Sequence, residues 1–210
     1  MQLVNEWFYF NKAIPQKICN KIKKLGNGCF ESATVDTYKG TTEEERKIGR
    51  KTDFDLDAEV RISDVIWTNE QWLIDLIWPY MIGANERAGW NFDIKSVENV
   101  QITKYRPGGF YTWHRDGGAD CLSTYDKPDN EFLHGNARKL SMTIPLNDNY
   151  EGGEFQFSTY SEGDHKISTV ENSGAGSVIV FPSFMEHRVT PITKGTRYSL
   201  VAWFLGPPFK

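Results

Sequence analysis

The sequence predicts a mainly β chain with supporting N-terminal helices, an α+β arrangement whose strand-rich part is an antiparallel sandwich or jelly-roll barrel. Three observations predict it. From Val97 onward, short β-prone segments around 97–105, 110–114, 138–146, 153–159, 176–181, 185–191 and 196–205 follow one another between Gly, Pro, Asn and Asp turns. Two earlier stretches carry apolar residues at helical spacing. At 210 residues and 39% hydrophobic composition, the chain has the length and apolar content of one domain with a substantial core. A single domain over 1–210 is expected, with helical support over about 12–90 and the strand core over about 97–205.

The chain opens on the aromatic run Trp7-Phe8-Tyr9-Phe10, which reads as a strand on the barrel more economically than as an intermolecular contact. From Ile14, the residues Ile18, Ile22 and Leu25 recur every three or four positions. Pro15 suits a first turn and Gly26 a stop, so a helix is expected, with Lys17, Lys21, Lys23 and Lys24 on its solvated faces. Thr34 to Asp57 is polar and rich in Thr, Glu, Lys and Gly, and is expected as a lid or an unstructured excursion. Val60 to Trp67 alternates and then turns apolar, as a strand entering a core does. A second helix starts near Asn69 and carries Trp72, Leu73, Leu76, Ile77, Tyr80 and Met81 towards the sheet. Pro79 is expected to bend or break it.

In the last segment a period of two puts Arg197, Ser199, Val201 and Trp203 on one face and Tyr198, Leu200, Ala202 and Phe204 on the other. An Arg heading an otherwise apolar inward face is costly to bury without a carboxylate or phosphate partner, which an anionic ligand would supply. His114 and Asp116, two apart at a strand end, point to one side, and Gly117-Gly118 lets the backbone turn away after them. The Pro107-Gly108-Gly109 turn is expected to pair the 97–105 strand with the one leading to His114. His187 follows 71 positions after Asp116, and Arg197 ten residues later. Two imidazoles and one carboxylate on one face of a metal leave positions open, the arrangement by which non-haem Fe(II) sites hold a cosubstrate and dioxygen together. His134 and His165 fall in Gly-, Asn- and Asp-rich loops and are expected to be exposed.

A net charge of −4 argues against a broad nucleic-acid footprint. Cys19, Cys29 and Cys121 are odd in number and lack a Cys-x-x-Cys pair, which favours neither a disulfide framework nor a thiolate zinc site and fits reduced thiols. Without a basic-then-apolar leader or an apolar run of membrane-spanning length, a cytoplasmic protein with no membrane partner is expected, its oligomeric state open.

Residues from about 97 to 205 resemble the Fe(II)- and 2-oxoglutarate-dependent dioxygenases, in their prolyl 4-hydroxylase-like branch. The resemblance is carried by Tyr105-Arg106-Pro107-Gly108 ahead of His114-Arg115-Asp116, by Gly152-Gly153-Glu154-Phe155, by the stretch from Gly174 to Pro182, and by His187 with Gly195-Thr196-Arg197-Tyr198-Ser199. It implies a double-stranded β-helix (jelly-roll) core, iron held by His114, Asp116 and His187, and the distal carboxylate of 2-oxoglutarate on Arg197. It further implies a cosubstrate hydrogen bond from Tyr105, with Trp203 close to the iron site, dioxygen as co-reactant and ascorbate as an accessory. Ser199 offers a hydroxyl on the same face as Arg197 or serves as a small barrel residue. Related halogenases carry a small residue in place of the iron carboxylate; Asp116 is present, so hydroxylation is the expected outcome. The resemblance makes a prolyl residue in a peptide or protein the leading substrate, with residues 118–138, bearing Tyr125, Pro128 and Phe132, as a second candidate lid. The alternatives are a demethylase or small-metabolite hydroxylase of the same chemistry, and a non-catalytic metal-binding jelly-roll module, which would not need Arg197.

Overall fold

A computed structural model describes residues 5–26, 30–37, 52–55, 59–117, 122–161, 164–170 and 174–209, with 35–37, 52–55 and 161 described by backbone alone. Two helices, α1 (Gln16–Leu25) and α2 (Gln71–Arg87), pack on the larger of two β-sheets. That sheet runs β1 (Phe8–Phe10), β14 (Val178–Pro182), β10 (Ala137–Pro145), β17 (Arg197–Gly206), β8 (Val100–Tyr105), β6 (Asp64–Thr68) and β2 (Glu31–Ser32), with β7 (Ser96–Val97) also on β17. The smaller sheet runs β13 (Asp164–Thr169), β12 (Phe155–Ser161), β15 (Glu186–Val189), β9 (Phe110–His114) and β5 (Arg61–Ile62). Short ladders join β3 (Val35–Thr37) to β4 (Thr52–Asp55) and β11 (Tyr150–Gly152) to β16 (Ile192–Gly195). The result is the mainly β jelly-roll with helical support that the sequence predicts.

Alternation within the larger sheet explains its two environments. On its outer face Ile102, Leu140, Met142, Ile144, Val178, Val180, Leu200, Ala202 and Phe204 meet Cys19 and Ile22 of α1 and Leu73, Ile77, Met81 and Ala84 of α2. On the inner face Tyr105, Ile179 and Phe181 pack with Phe155, Phe157 and Val189 from the smaller sheet. Trp7 stacks on Phe157 at 4.8 Å, so the aromatic N-terminal run closes one edge of this inner core as well as adding β1 to β14. Where that inner core ends, the inward positions turn polar and the space between the sheets opens as a cavity.

Four expectations are corrected. Helix α2 runs unbroken through Pro79 to Arg87; Pro79 and Asp75 are both exposed, so the one hydrogen bond Pro79 removes leaves the Asp75 carbonyl to water. The Pro107-Gly108-Gly109 turn does not close a hairpin, because β8 pairs with β17 and β6 while β9 pairs with β15 and β5. Instead Gly108 N–H donates to the Ile192 carbonyl at 2.8 Å and Ile192 N–H to the Gly109 carbonyl at 2.9 Å, tying the turn to β16 as a corner between sheets. The stretch from Val60 to Trp67 is likewise two strands, β5 in the smaller sheet and β6 in the larger, with Ser63 between them. His165 is exposed as expected but lies in β13, where its Nε2 is 2.7 Å from Ser158 Oγ. Of the 34–57 stretch, Val35–Thr37 and Thr52–Asp55 form the β3–β4 ladder and most of the remainder lies outside the described residues, as do Cys29, Gly118 and Cys121.

Candidate active site

His114 ends β9 and His187 sits in β15, and the two are paired directly in the antiparallel register. Asp116 follows two residues after His114, held by its N–H donating to the Ser183 carbonyl at 2.9 Å. Gly117, at φ 141, then carries the chain away through a region closed to most side chains. The three side chains present ligand atoms within 4.8 Å of one another. His114 Nε2 stands 3.9 Å from Asp116 Oδ1 and His187 Nε2 3.6 Å from Asp116 Oδ2.

Each imidazole is oriented by its own strand. His114 Nδ1–H donates to the Thr112 carbonyl at 2.8 Å and His187 Nδ1–H to the Met185 carbonyl at 2.9 Å. These bonds select, for the neutral form of each ring, the tautomer with the proton on Nδ1 and the Nε2 lone pair turned towards Asp116, the one a metal needs. Burial, reinforced by the adjacent His187, holds the His114 pKa down at about 3 against the pull of Asp116. Burial alone would raise the Asp116 carboxyl; His187, His114, Arg138 and a Ser141 hydrogen bond outweigh it and hold that group below the usual carboxylate range. A neutral imidazole beside a carboxylate needs no proton removed before taking a cation.

Behind the carboxylate lies support that the sequence reading did not single out. Ser141 Oγ donates to Asp116 Oδ2 at 2.7 Å, and Ser183 Oγ, 2.9 Å from Ser141 Oγ, donates in turn to Ser141. The signal was legible: Ser141 and Thr143 alternate with Leu140, Met142 and Ile144 along β10, marking a polar inward stripe. Tyr111 stacks on the His114 ring at 3.5 Å and 13°. Those residues lie three apart, which would oppose them in a regular strand. A bulge, in which His114 to Tyr111 on β9 spans the same interval as His187 to Val189 on β15, turns them to one face.

A second bulge, at Lys139 in β10, does the same for Arg138 and Ser141. It aims Arg138 into the cavity, where its Nε and Nη2 each donate to Glu98 at 2.7 Å and its guanidinium lies 4.2 Å over the Trp203 ring. Burial would lower the Arg138 pKa, but the Glu98 carboxylate more than offsets that and raises it. Tyr125 donates to Glu98 Oε1 at 2.8 Å and so joins the wall, whereas Phe132 stays 64% exposed and Pro128 is exposed.

These groups line one cavity of about 460 Å³, together with Tyr105, Arg197, Ser199 and Trp203. The parity read for β17 holds: Arg197, Ser199, Val201 and Trp203 face the cavity, and Leu200, Ala202 and Phe204 face the helices. Arg197 is 2% exposed, and among the described residues no carboxylate pairs with it. Its Nη1 donates to Ser199 Oγ at 3.0 Å, its guanidinium lies 5.5 Å from the Tyr105 ring on the paired strand, and its buried Nε has no hydrogen-bond partner. The Trp203 indole N–H is also buried and unpartnered. Gly153, at φ 66, makes room for the arginine: a Cβ there would meet Arg197 Cδ at 3.0 Å and Ile192 Cδ1 at 2.3 Å.

A jelly-roll whose interior carries two imidazoles and a carboxylate converging on one point, with a buried unpaired arginine on the same cavity wall, is the architecture of a metal-dependent oxygenase with an acidic cosubstrate. A family model described as the 2OG-Fe(II) oxygenase superfamily matches residues 100–205, half of the chain, and the chain belongs to that family. The family's description names the iron and 2-oxoglutarate, and the residues fit both: two imidazoles with a carboxylate suit Fe(II), and the orphaned Arg197 Nε suits a carboxylate ligand.

Among curated proteins, a PKHD-type hydroxylase of Idiomarina loihiensis is 35% identical over 109 residues, 52% of this chain and 43% of the relative. One of a Picosynechococcus species is 33% identical over 112 residues, 52% of this chain and 42% of the relative. The chain thus spans less than half the length of these relatives. Among solved structures, a prolyl hydroxylase from Trichoplax adhaerens, in complex with a hypoxia inducible factor peptide fragment, matches with TM-score 0.66 at 16% identity over 96% of this chain and 84% of that one. A Pseudomonas putida prolyl-4-hydroxylase matches with TM-score 0.60 at 18% identity over 96% and 92%. At these identities the likeness is one of fold. No helix among the described residues is long and apolar enough to cross a membrane.

Proposed function

We propose that this chain is an Fe(II)- and 2-oxoglutarate-dependent hydroxylase acting on a prolyl residue of a peptide or protein. The observation that carries the cosubstrate is Arg197, a buried cation without a counter-charge among the described residues, on the wall of the cavity that holds the three candidate ligands. In this reading His114, Asp116 and His187 would hold the iron. Three protein ligands are the count of an open site rather than a closed structural one. Arg197 would take the distal carboxylate of 2-oxoglutarate through its free Nε and remaining N–H groups, with Ser199 fixing the guanidinium and Tyr105 beside it. Trp203 would offer its unpartnered indole N–H to an acceptor in the cavity.

When bound, iron and cosubstrate supply the oxidation, coupling decarboxylation of 2-oxoglutarate to succinate with insertion of one oxygen atom of O₂ into a substrate C–H bond. The chain's contribution is positional. The Thr112 and Met185 carbonyls fix the two imidazoles, Ser141 and Ser183 fix the carboxylate, and the aromatic wall of Phe155, Phe181 and Tyr111 shields them from water. The prolyl substrate is supported by the two solved fold neighbours described above, both of them prolyl hydroxylases.

Anaerobic titration of Fe(II) into protein with 2-oxoglutarate tests the chemistry without a substrate. A visible metal-to-ligand charge-transfer band is expected, and its loss in His187→Ala. Folded, metal-loaded protein that shows no band contradicts the reading. Succinate yield on proline-containing peptides against methylated oligonucleotides and free amino acids then tests the substrate class, and its stimulation by ascorbate tests that accessory.

A further inference from the structure

The cavity wall holds one more cation whose surroundings point to a ligand. Arg61 of β5 is the register partner of Tyr111, and its guanidinium carbon lies 4.6 Å over the Tyr111 ring, which also stacks on the His114 ring at 3.5 Å. Its Nε donates to Ser63 Oγ at 2.8 Å. Its two terminal nitrogens make no hydrogen bond or ion pair among the described residues. Of the other arginines, Arg138 is committed to Glu98, Arg106 to Asp64, and Arg197 lies deep beside Ser199; Arg188 is held much as Arg61 is, over Trp113 with its Nε on Gln156, but does not line this cavity. Stacking and the Nε bond hold the Arg61 side chain in place and leave its outer N–H fork open, the geometry that grips a carboxylate with two parallel hydrogen bonds.

Arg61 also lines a second groove of about 250 Å³, shared with Ser32, Ala33 and Lys104 and with Asp64, whose carboxylate is neutralised by Arg106. The active cavity and this groove therefore meet at Arg61, and an extended chain leaving the cavity would pass over it. Lys104, whose Nζ lies 5.4 Å from the Phe30 ring, adds a second positive charge without an acidic partner among the described residues. A free metabolite would have no use for the groove, and a long polyanion would meet a protein of net charge −4 beyond it.

We propose that Arg61 is the subsite for an acidic side chain of a peptide substrate, one or two residues away from the residue that is oxidised. The proposal rests on the hydroxylase reading above. The spacing suits it, because Arg61 and His114 both lie against the one Tyr111 ring, while consecutive peptide Cα atoms stand about 3.8 Å apart and an Asp or Glu side chain extends the reach.

The test uses full-length protein loaded anaerobically with Fe(II) and 2-oxoglutarate, and labelled proline-containing peptides identical except for Asp, Asn or Lys at each of the two positions on either side of the proline. Binding is read by fluorescence anisotropy. At one position the Asp peptide should bind roughly tenfold or more tightly than its Asn counterpart. Arg61→Gln should erase that difference, and Arg61→Glu should transfer the preference to Lys. No position favouring Asp, a preference that survives Arg61→Gln, or no peptide bound at all overturns the proposal. The charge-transfer band is recorded in every variant: it reports an intact site and tests the parent reading, while anisotropy tests the subsite, so either can fail alone.

Discussion

His114 and His187 are register partners across β9 and β15, with rings 4.1 Å apart, so the pairing of two strands, rather than loop conformation, brings the two imidazoles together. The carboxylate is the piece that must be brought in separately, and the serines do that.

Ser141→Ala should therefore weaken metal binding without unfolding the chain. It removes the hydrogen bond to Asp116 Oδ2 and leaves Ser183 without its acceptor. Loss of such outer support lowers metal affinity by about 10- to 100-fold. Competition with a fluorescent Fe(II) or Co(II) chelator measures it, and unchanged affinity would mean the Ser183 carbonyl alone positions Asp116.

Arg197→Ala should raise the apparent Kd for 2-oxoglutarate by about 10- to 100-fold, the worth of charge-assisted hydrogen bonds, with Arg197→Lys in between because the charge stays and the fork goes. Gly153→Ala should raise it too, through the pressure of the new methyl on Arg197 Cδ. Titration of the charge-transfer band in the three variants checks both statements.

Glu98→Ala should lower stability by about 2–3 kcal/mol, because it strands the Arg138 charge and removes the acceptor of Tyr125. The figure is set below that for a fully buried pair because the two side chains remain 18% and 12% exposed. Urea unfolding measures it; Glu98→Gln, which keeps an acceptor, should lose less.

Metal-free protein should lose stability as pH falls from about 6.5 towards 3. In the unfolded chain His114 takes its proton near 6.5, and in the fold only near 3. Between those values the unfolded state binds more protons, so acid favours unfolding, and the contribution is fully present above the unfolded value. Asp116, with its pKa lowered in the fold, acts in the same direction at more acidic pH. Chelator-treated His114→Gln should show a flatter profile of urea midpoint between pH 7 and 4.5.

Pro79→Ala should stabilise the chain by about 1–2 kcal/mol, since it restores a hydrogen bond to the Asp75 carbonyl in an exposed part of α2. A rise in Tm detects it, and a fall would show that α2 is bent around the proline in a way the core requires.

Much of this site was legible in residue order. The face shared by Arg197, Ser199 and Trp203 followed from a period of two, and the same period, applied to β10, would have singled out Ser141 and Thr143 as polar residues among apolar neighbours. Tyr111 and Arg138 were hidden for one physical reason. Each points into the cavity because of an inserted residue in its strand, and alternation assigns both to the wrong face. The Pro107-Gly108-Gly109 corner was misread because a turn's local chemistry does not say whether its flanking strands find each other or better partners elsewhere. Glu98 lies 40 positions from the arginine it neutralises, a distance over which no local pattern speaks.

The two bulges have a further consequence. They make the cavity wall sensitive to length in a way that it is not sensitive to composition. Shortening β9 or β10 by one residue at the bulge would restore regular alternation and rotate Tyr111 or Arg138 out, whereas exchanging one side chain for another leaves every address intact. A new specificity on this scaffold is therefore to be sought by substitution within those two strands, and insertions or deletions belong in the segments that join them.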